Sequence, residues 1–123
     1  MDQNETHKAQ AILPKLHFNL GGHNCHDLYW KNLAPKSQQG GVLPLPTSKL
    51  AQAISQTWGS IDNFITSFNQ KAAVVQGSGW AWLAINTQTK NLSILTTQTH
   101  DSVDAIDHDP LLVVDVWEHA YYL

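Results

Sequence analysis

The spacing of hydrophobic and polar positions changes along the chain, and the changes predict its elements. Met1 to Lys8 is polar and expected to fray, and Ala9 to Leu20 carries apolar residues without one clear period. Gly21-Gly22 reads as a break. Beyond it His26, Tyr29, Trp30 and Leu33 fall at i, i+3, i+4 and i+7, on one face of a helix running from His23 to Leu33. Pro35 ends that helix. Pro35 to Pro46, with Gly40-Gly41 and Pro44 inside it, reads as a linker and the best candidate domain boundary. Thr47 or Ser48 can cap a second helix in which Leu50, Ile54 and Trp58 recur at four-residue steps, with Gly59 placed to end it. Ser60 restarts a third helix through Ile61, Phe64, Ile65 and Phe68.

After Gly77-Ser78-Gly79 the period falls to two. Trp80, Trp82 and Ala84 alternate with Ala81, Leu83 and Ile85, which predicts a strand. Asn86 to Asn91 is turn material, and Leu92 to Thr99 is rich in β-branched residues, so the two runs predict a hairpin. Gln98 to Pro110 reads as a polar loop holding His100, Asp101, Asp104, Asp107, His108 and Asp109. Leu111 to Val116 is a short apolar run of the kind expected of a buried central strand, and Glu118 to Leu123 begins a helix. There is no internal repeat and no low-complexity tract.

Composition narrows the classes this pattern can serve. At 123 residues and 42% hydrophobic, the chain can bury one modest core, or one domain with a helical appendage. Charged residues are 14% of the chain and the net charge is -3, without blocks of one sign, so neither a nucleic-acid footprint nor a disordered acidic tail is present. Cys25 is the single cysteine and has no internal disulfide partner, which fits a reducing compartment. No apolar run approaches the roughly 20 residues of a membrane helix, and Met1 to Gln10 lacks a hydrophobic signal core. The expectation is a soluble chain without a membrane partner or secretory address.

Seven histidines and five tryptophans are many for this length, and several cluster with Asp, Gly or Tyr. Imidazoles near indoles point to an aromatic-lined metal or acid/base site, although Trp is also ordinary core material. Asp115 and His119 stand four residues apart where the apolar run gives way to a helix, a spacing that can aim both side chains at one point. A carboxylate in an apolar run needs a partner or a cation. Two readings stay open for this pair. Asp115 can cap the following helix while His119 is a hydrogen-bonded core imidazole. Alternatively His26, on its aromatic helix face, completes a His, Asp, His set, which suits a redox-capable Fe or Mn centre and also zinc.

The ending Asp115-Val116-Trp117-Glu118-His119-Ala120-Tyr121-Tyr122-Leu123 resembles the signature of iron/manganese superoxide dismutases. Three further segments resemble the same family in order. Phe18-Asn19-Leu20-Gly21-Gly22-His23-Asn24-Cys25-His26 with Leu28-Tyr29-Trp30-Lys31-Asn32-Leu33 is similar to its second N-terminal helix. Gln76-Gly77-Ser78-Gly79-Trp80-Ala81-Trp82-Leu83 is similar to its first strand, and Pro110-Leu111-Leu112 to the lead into its last strand. The resemblance runs from about Ile12 to Leu123. It implies that His26, Asp115 and His119 are metal ligands, that Trp80 and Trp117 wall the metal pocket, and that Trp30 and Phe18 line it or its entrance. It also implies that Glu118 pairs across a dimer interface with the partner's ligand His, and that Tyr122 reaches across the same interface. The implied cofactor is one Mn or Fe ion per subunit, the substrate superoxide, and the assembly a homodimer or homotetramer, in the mitochondrial matrix or the cytoplasm.

The chain departs from the family pattern in places. The first N-terminal helix, which brings a further His ligand, has no counterpart, and His7 lies too close to His26 to fill that position. The final helices have no counterpart either, so the chain is expected to be partial. His100 stands where manganese members usually carry a Gln that hydrogen-bonds the metal's solvent, and some iron-using members resemble this chain in having His there. Common iron members take their Gln from the position four before the helix His, which here is Gly22, a manganese-like feature. Of the smaller signals, His23 is expected at the surface, Cys25 as a packed thiol, and His108 in a solvated loop, while His17 has no assigned partner.

The expected fold class is α+β. Residues 1–42 would be the remnant of an N-terminal helical hairpin, and residues 43–123 a C-terminal α/β metal-binding domain with a small antiparallel sheet packed against helices. The expected activity is conversion of superoxide to hydrogen peroxide and dioxygen. A truncated non-catalytic remnant and a non-haem iron oxygenase with two His and one carboxylate are the competing readings. Crowding by Trp30, Trp80 and Trp117 argues against the organic-substrate pocket an oxygenase needs.

Overall fold

The alternation from Trp80 to Ile85 builds the middle of the molecule. In the computed structural model, which describes residues 2–123, β1 (Gly79–Asn86) is the central strand of a three-stranded antiparallel sheet, flanked by β2 (Leu92–Gln98) and β3 (His108–Asp115). Helix α1 (Gln3–Asn32) precedes α2 (Lys49–Trp58) and α3 (Ile61–Ala73), and α4 (Glu118–Tyr121) follows β3. Helices with a small antiparallel sheet make the α+β class expected from sequence.

Because side chains alternate across a strand, β1 feeds two separate cores. Trp80, Trp82 and Ala84 pack with Cys25, Val103 and Val113, and Leu28 and Tyr29 of α1 close over them. Ala81 and Leu83 pack with Ile54, Phe64, Phe68 and Ile94, beneath α2 and α3. The caps of those two helices are those the sequence offers. Ser48 Oγ accepts from the Ala51 amide, Ser60 Oγ accepts from the Asn63 amide, and Gly59 ends α2 with φ of 86°. In the hairpin turn, Asn86 Oδ1 accepts from the amides of Gln88 and Thr89.

Four expectations need correction. Gly21-Gly22 does not interrupt α1, which runs unbroken for 30 residues, about 45 Å, and includes Pro14. The expected frayed start is helical from Gln3, while Met1 lies outside the described residues. The paired glycines serve close approach instead of a turn: a Cβ at Gly21 would collide with the backbone carbonyl of His100. Next, the strand leading into Asp115 is an edge strand and not a central one. It begins at His108, and an edge position tolerates its Pro110, beside a register shift at Leu83/Ala84. Finally, the stretch from Gln98 to Pro110 is more ordered than a polar loop. It contains a 3-10 turn at Val103–Ile106 that buries Val103 completely.

The start of α1 stands away from the sheet, with Ile12, Leu13 and Leu16 exposed, and its packed part begins near Gly21. Among the described residues no helix is long and apolar enough to cross a membrane.

Candidate metal centre

Strand register prepares the site. Trp80 and Asp115 are direct partners across β1 and β3, so their side chains share the face covered by α1. Asp115 is consequently buried, its side chain only 2% exposed. Its carboxylate is held at both oxygens. Oδ1 accepts from the Trp117 amide at 2.9 Å, and Oδ2 lies 3.2 Å from His26 Nε2 and 2.8 Å from His119 Nε2. His26 comes from α1 and His119 from α4, and one ligand atom from each of the three residues lies within 4.8 Å of the others. Asp115 does not cap α4, whose N-cap is Trp117 without a side-chain bond; its Oδ1 instead closes a local turn onto the Trp117 amide.

Ring chemistry shows what this cluster can hold. His26 Nδ1 lies 2.7 Å from the Gly22 carbonyl, which can only accept, so Nδ1 carries a proton. In the neutral imidazole Nε2 is then a lone pair, aimed at a carboxylate oxygen that also has only lone pairs to offer. Two acceptors at 3.2 Å require a positive charge between them, as a second ring proton or as a cation. His119 turns a second imidazole nitrogen, Nε2, to the same oxygen. Two imidazoles and one carboxylate, with one imidazole oriented by a backbone carbonyl, fit a first-row transition-metal ion.

His100 stands beside this cluster, its ring 5.8 Å from that of His26. Its surroundings fix its tautomer. The Trp80 indole N–H, which can only donate, reaches His100 Nδ1 at 3.2 Å, so the proton of the neutral ring belongs on Nε2. Nε2 faces Gly22, where a Cβ would come within 3.1 Å of it. Trp117 stacks on the imidazole at 4.3 Å and Phe18 meets it edge-on at 4.7 Å, while the Trp117 indole donates to the Thr99 carbonyl. Burial, joined by the neighbouring His26, pushes the His100 pKa below its ordinary value, which keeps the ring neutral and its Nε2–H a donor.

The other candidates divide between those drawn to the site and those left outside it. Trp30 lies 6.2 Å from the His26 ring and, with Phe18, His26 and His100, lines a cleft of about 400 Å³. Glu118 and Tyr122 are exposed beyond it. His23 is exposed at the rim of the cleft, and His108 bonds back to the Ile106 carbonyl. Cys25 is buried, and burial pushes its thiol up to about 11. Two contacts have no signature in the sequence. His17, left unassigned there, meets Asp101 at 3.1 Å, and Asn32 accepts from the Val113 amide at 2.8 Å. Neither pair carries a local signal, since each joins residues more than 80 apart.

Comparison with known proteins agrees with this geometry. Residues 46–123 match the family described as iron/manganese superoxide dismutases, C-terminal domain. A superoxide dismutase [Fe] of Tetrahymena pyriformis is 49% identical over 121 residues, covering 98% of this chain and 62% of its own length. A superoxide dismutase [Mn] of Chlamydia muridarum is 49% identical over 114 residues, covering 92% of this chain and 55% of its own. A probable mitochondrial superoxide dismutase [Mn] of Debaryomyces hansenii is 46% identical over 123 residues, covering 98% and 57% respectively. The chain thus spans little more than half the length of these relatives.

Proposed function

The chain belongs to the iron/manganese superoxide dismutase family, and we propose that it is the portion of such an enzyme that supplies three ligands, His26, Asp115 and His119, to a Mn or Fe ion. The observation that carries this reading is the lone-pair conflict between His26 Nε2 and Asp115 Oδ2, which a bound cation resolves. The reaction converts two superoxide radicals and two protons to one hydrogen peroxide and one dioxygen. The bound ion would supply the one-electron steps by alternating between +3 and +2.

The chain's own residues have defined tasks. The Gly22 carbonyl holds the His26 ring and its tautomer, and the Trp117 amide holds Asp115. Trp80 fixes His100 with its Nε2–H as a donor beside the cluster, placed to orient a small oxygen species and to pass a proton to it. Buried Trp80 and half-buried Trp117 exclude bulk water from one side, which strengthens these hydrogen bonds.

Further parts of the reading rest on family resemblance. Manganese is slightly favoured over iron because Gly22 stands where common iron members carry their Gln, although relatives named for each metal match almost equally. Residues 1–42 and 43–123 are read as separate domains, with the boundary in the Pro35–Pro46 segment. Glu118 and Tyr122, exposed at the end of the chain, are read as a homodimer surface. A mitochondrial matrix or cytoplasmic location accompanies this reading.

Metal analysis of the purified protein, paired with a superoxide-consumption assay, tests the function. Stoichiometric Mn or Fe with activity is expected; a folded, metal-free, inactive protein would support the non-catalytic reading instead. Sedimentation of wild type and Tyr122→Ala tests the dimer, which the substitution should weaken.

A further inference from the structure

We propose that Asn32 is a positioning residue for the candidate metal centre, setting the distance between the helix that carries His26 and the strand that carries Asp115. This rests on the metal-site reading above and adds to it a residue outside the ligand set.

Among the described residues, the polar contacts from α1 to the rest of the chain are His17 to Asp101, Cys25 to the His100 carbonyl, His26 to Asp115, and Asn32 to Val113. They differ greatly as anchors. His17 and Asp101 are exposed, with side chains 73% and 57% accessible, and water screens such a pair. The Cys25 thiol is a weak donor at 4.0 Å. His26 and Asp115 are the site itself, so their contact is what an anchor must position and not an independent anchor.

Asn32 is different. The donor is a backbone amide, so the accepting atom must be the side-chain oxygen, at 2.8 Å. Val113 is fully buried, and β3 is an edge strand. Alternate N–H groups of an edge strand point away from the sheet and need a partner from elsewhere. Asn32 supplies it from the last residue of α1, one heptad beyond Cys25 on the stripe that includes Leu28 and Tyr29.

The leverage is short on both elements. Asn32 lies six residues beyond His26, about 9 Å along the helix. Val113 lies two residues before Asp115, about 7 Å along the strand. Apolar packing of Leu28 and Tyr29 is non-directional and permits α1 to slide, whereas one hydrogen bond of fixed geometry does not. A slide of an ångström along α1 would carry His26 Nε2 away from the point it shares with Asp115 and His119.

The test uses the intact protein, with cobalt(II) as a spectroscopic probe of the site and hydrogen exchange of the Val113 amide as a probe of the bond. Asn32→Ala is expected to weaken cobalt(II) binding about tenfold, as substitutions around a ligand shell do, to shift the visible d–d bands and to speed Val113 exchange. Asn32→Asp keeps the acceptor and should bind within about twofold of wild type, with the wild-type spectrum. Phe68→Leu, which loosens the opposite core, should lower stability without altering affinity or spectrum. Wild-type binding and spectrum in Asn32→Ala, or equal loss in Asn32→Asp, would overturn the proposal. If Asn32→Ala does not fold, Asn32→Gln decides, since it displaces the amide by one methylene; an unshifted spectrum there also overturns it. His119→Ala separates the two readings. Retained cobalt would defeat the metal-site assignment, whereas cobalt lost in His119→Ala but bound normally by Asn32→Ala defeats only the role of Asn32.

Discussion

The face of the sheet beneath α2 and α3 and the face beneath α1 draw on the same strand, β1, and differ in kind. Beneath α2 and α3 the contacts are Ile54, Phe64, Phe68, Ala81, Leu83 and Ile94, hydrocarbon throughout. Such a core needs the right volume and little else, and it accepts small rearrangements. Beneath α1 the packing residues carry nitrogen and oxygen. Trp80 donates to His100, Trp82 donates to Thr97, and Trp117 donates to the Thr99 carbonyl. Among the described residues no buried side-chain nitrogen or oxygen lacks a partner. One face is held mainly by undirected packing, with Lys71 Nζ donating to the Ile94 carbonyl, and the other uses directional side-chain bonds to fix where two histidines and an aspartate meet. Division of labour across a single strand lets the site be demanding while the fold stays tolerant.

Substitutions on either side can break this comparison. The largest effect is expected of Asp115→Ala, which removes the buried carboxylate shared by both imidazoles. Bound metal should fall by more than about 100-fold, beyond the range of changes outside the ligand set, as measured by metal analysis after dialysis. Phe68→Ala should cost about 3–5 kcal/mol in chemical denaturation while leaving the visible spectrum of the cobalt-substituted site unchanged. If it weakened metal binding as Asp115→Ala does, the two faces would not be independent. Trp80→Phe keeps the aromatic bulk and removes the N–H that orients His100. Metal content should persist while the dismutation rate falls about tenfold, and NMR of the His100 ring nitrogens should show the Nε2 proton shared with Nδ1. The smallest change, Gly22→Ala, brings a methyl within 3.1 Å of His100 Nε2. A few tenths of an ångström of displacement should lower activity about twofold to fivefold with little change in melting temperature. A rate at wild-type level in both Trp80→Phe and Gly22→Ala would remove His100 from the reaction.

How much of this was legible in the sequence depended on the range of the interaction. The two-residue alternation from Trp80 to Ile85, the serine caps at 48 and 60 and the glycine stop at 59 all express contacts within a few residues, and each appears where the pattern puts it. Resemblance brought His26, Asp115 and His119 together in advance, and they lie in one cluster. A Gly-Gly pair normally ends a helix and so predicts a break in α1; the pair is there for the His100 segment, nearly 80 residues later, pressed against it. The apolar run before Asp115 predicts a central strand, but α1 buries the outer side of β3, so an edge strand carries the composition of an inner one.

Elements, caps and family are therefore properties of the sequence, since period and local hydrogen bonding follow from neighbours along the chain. Only the tertiary structure decided which nitrogen of each histidine carries its proton and which side chain ties α1 to β3. A ring nitrogen's role is set by the atom facing it, and the atoms facing His100 and Val113 come from Trp80 and Asn32, 20 and 81 residues away.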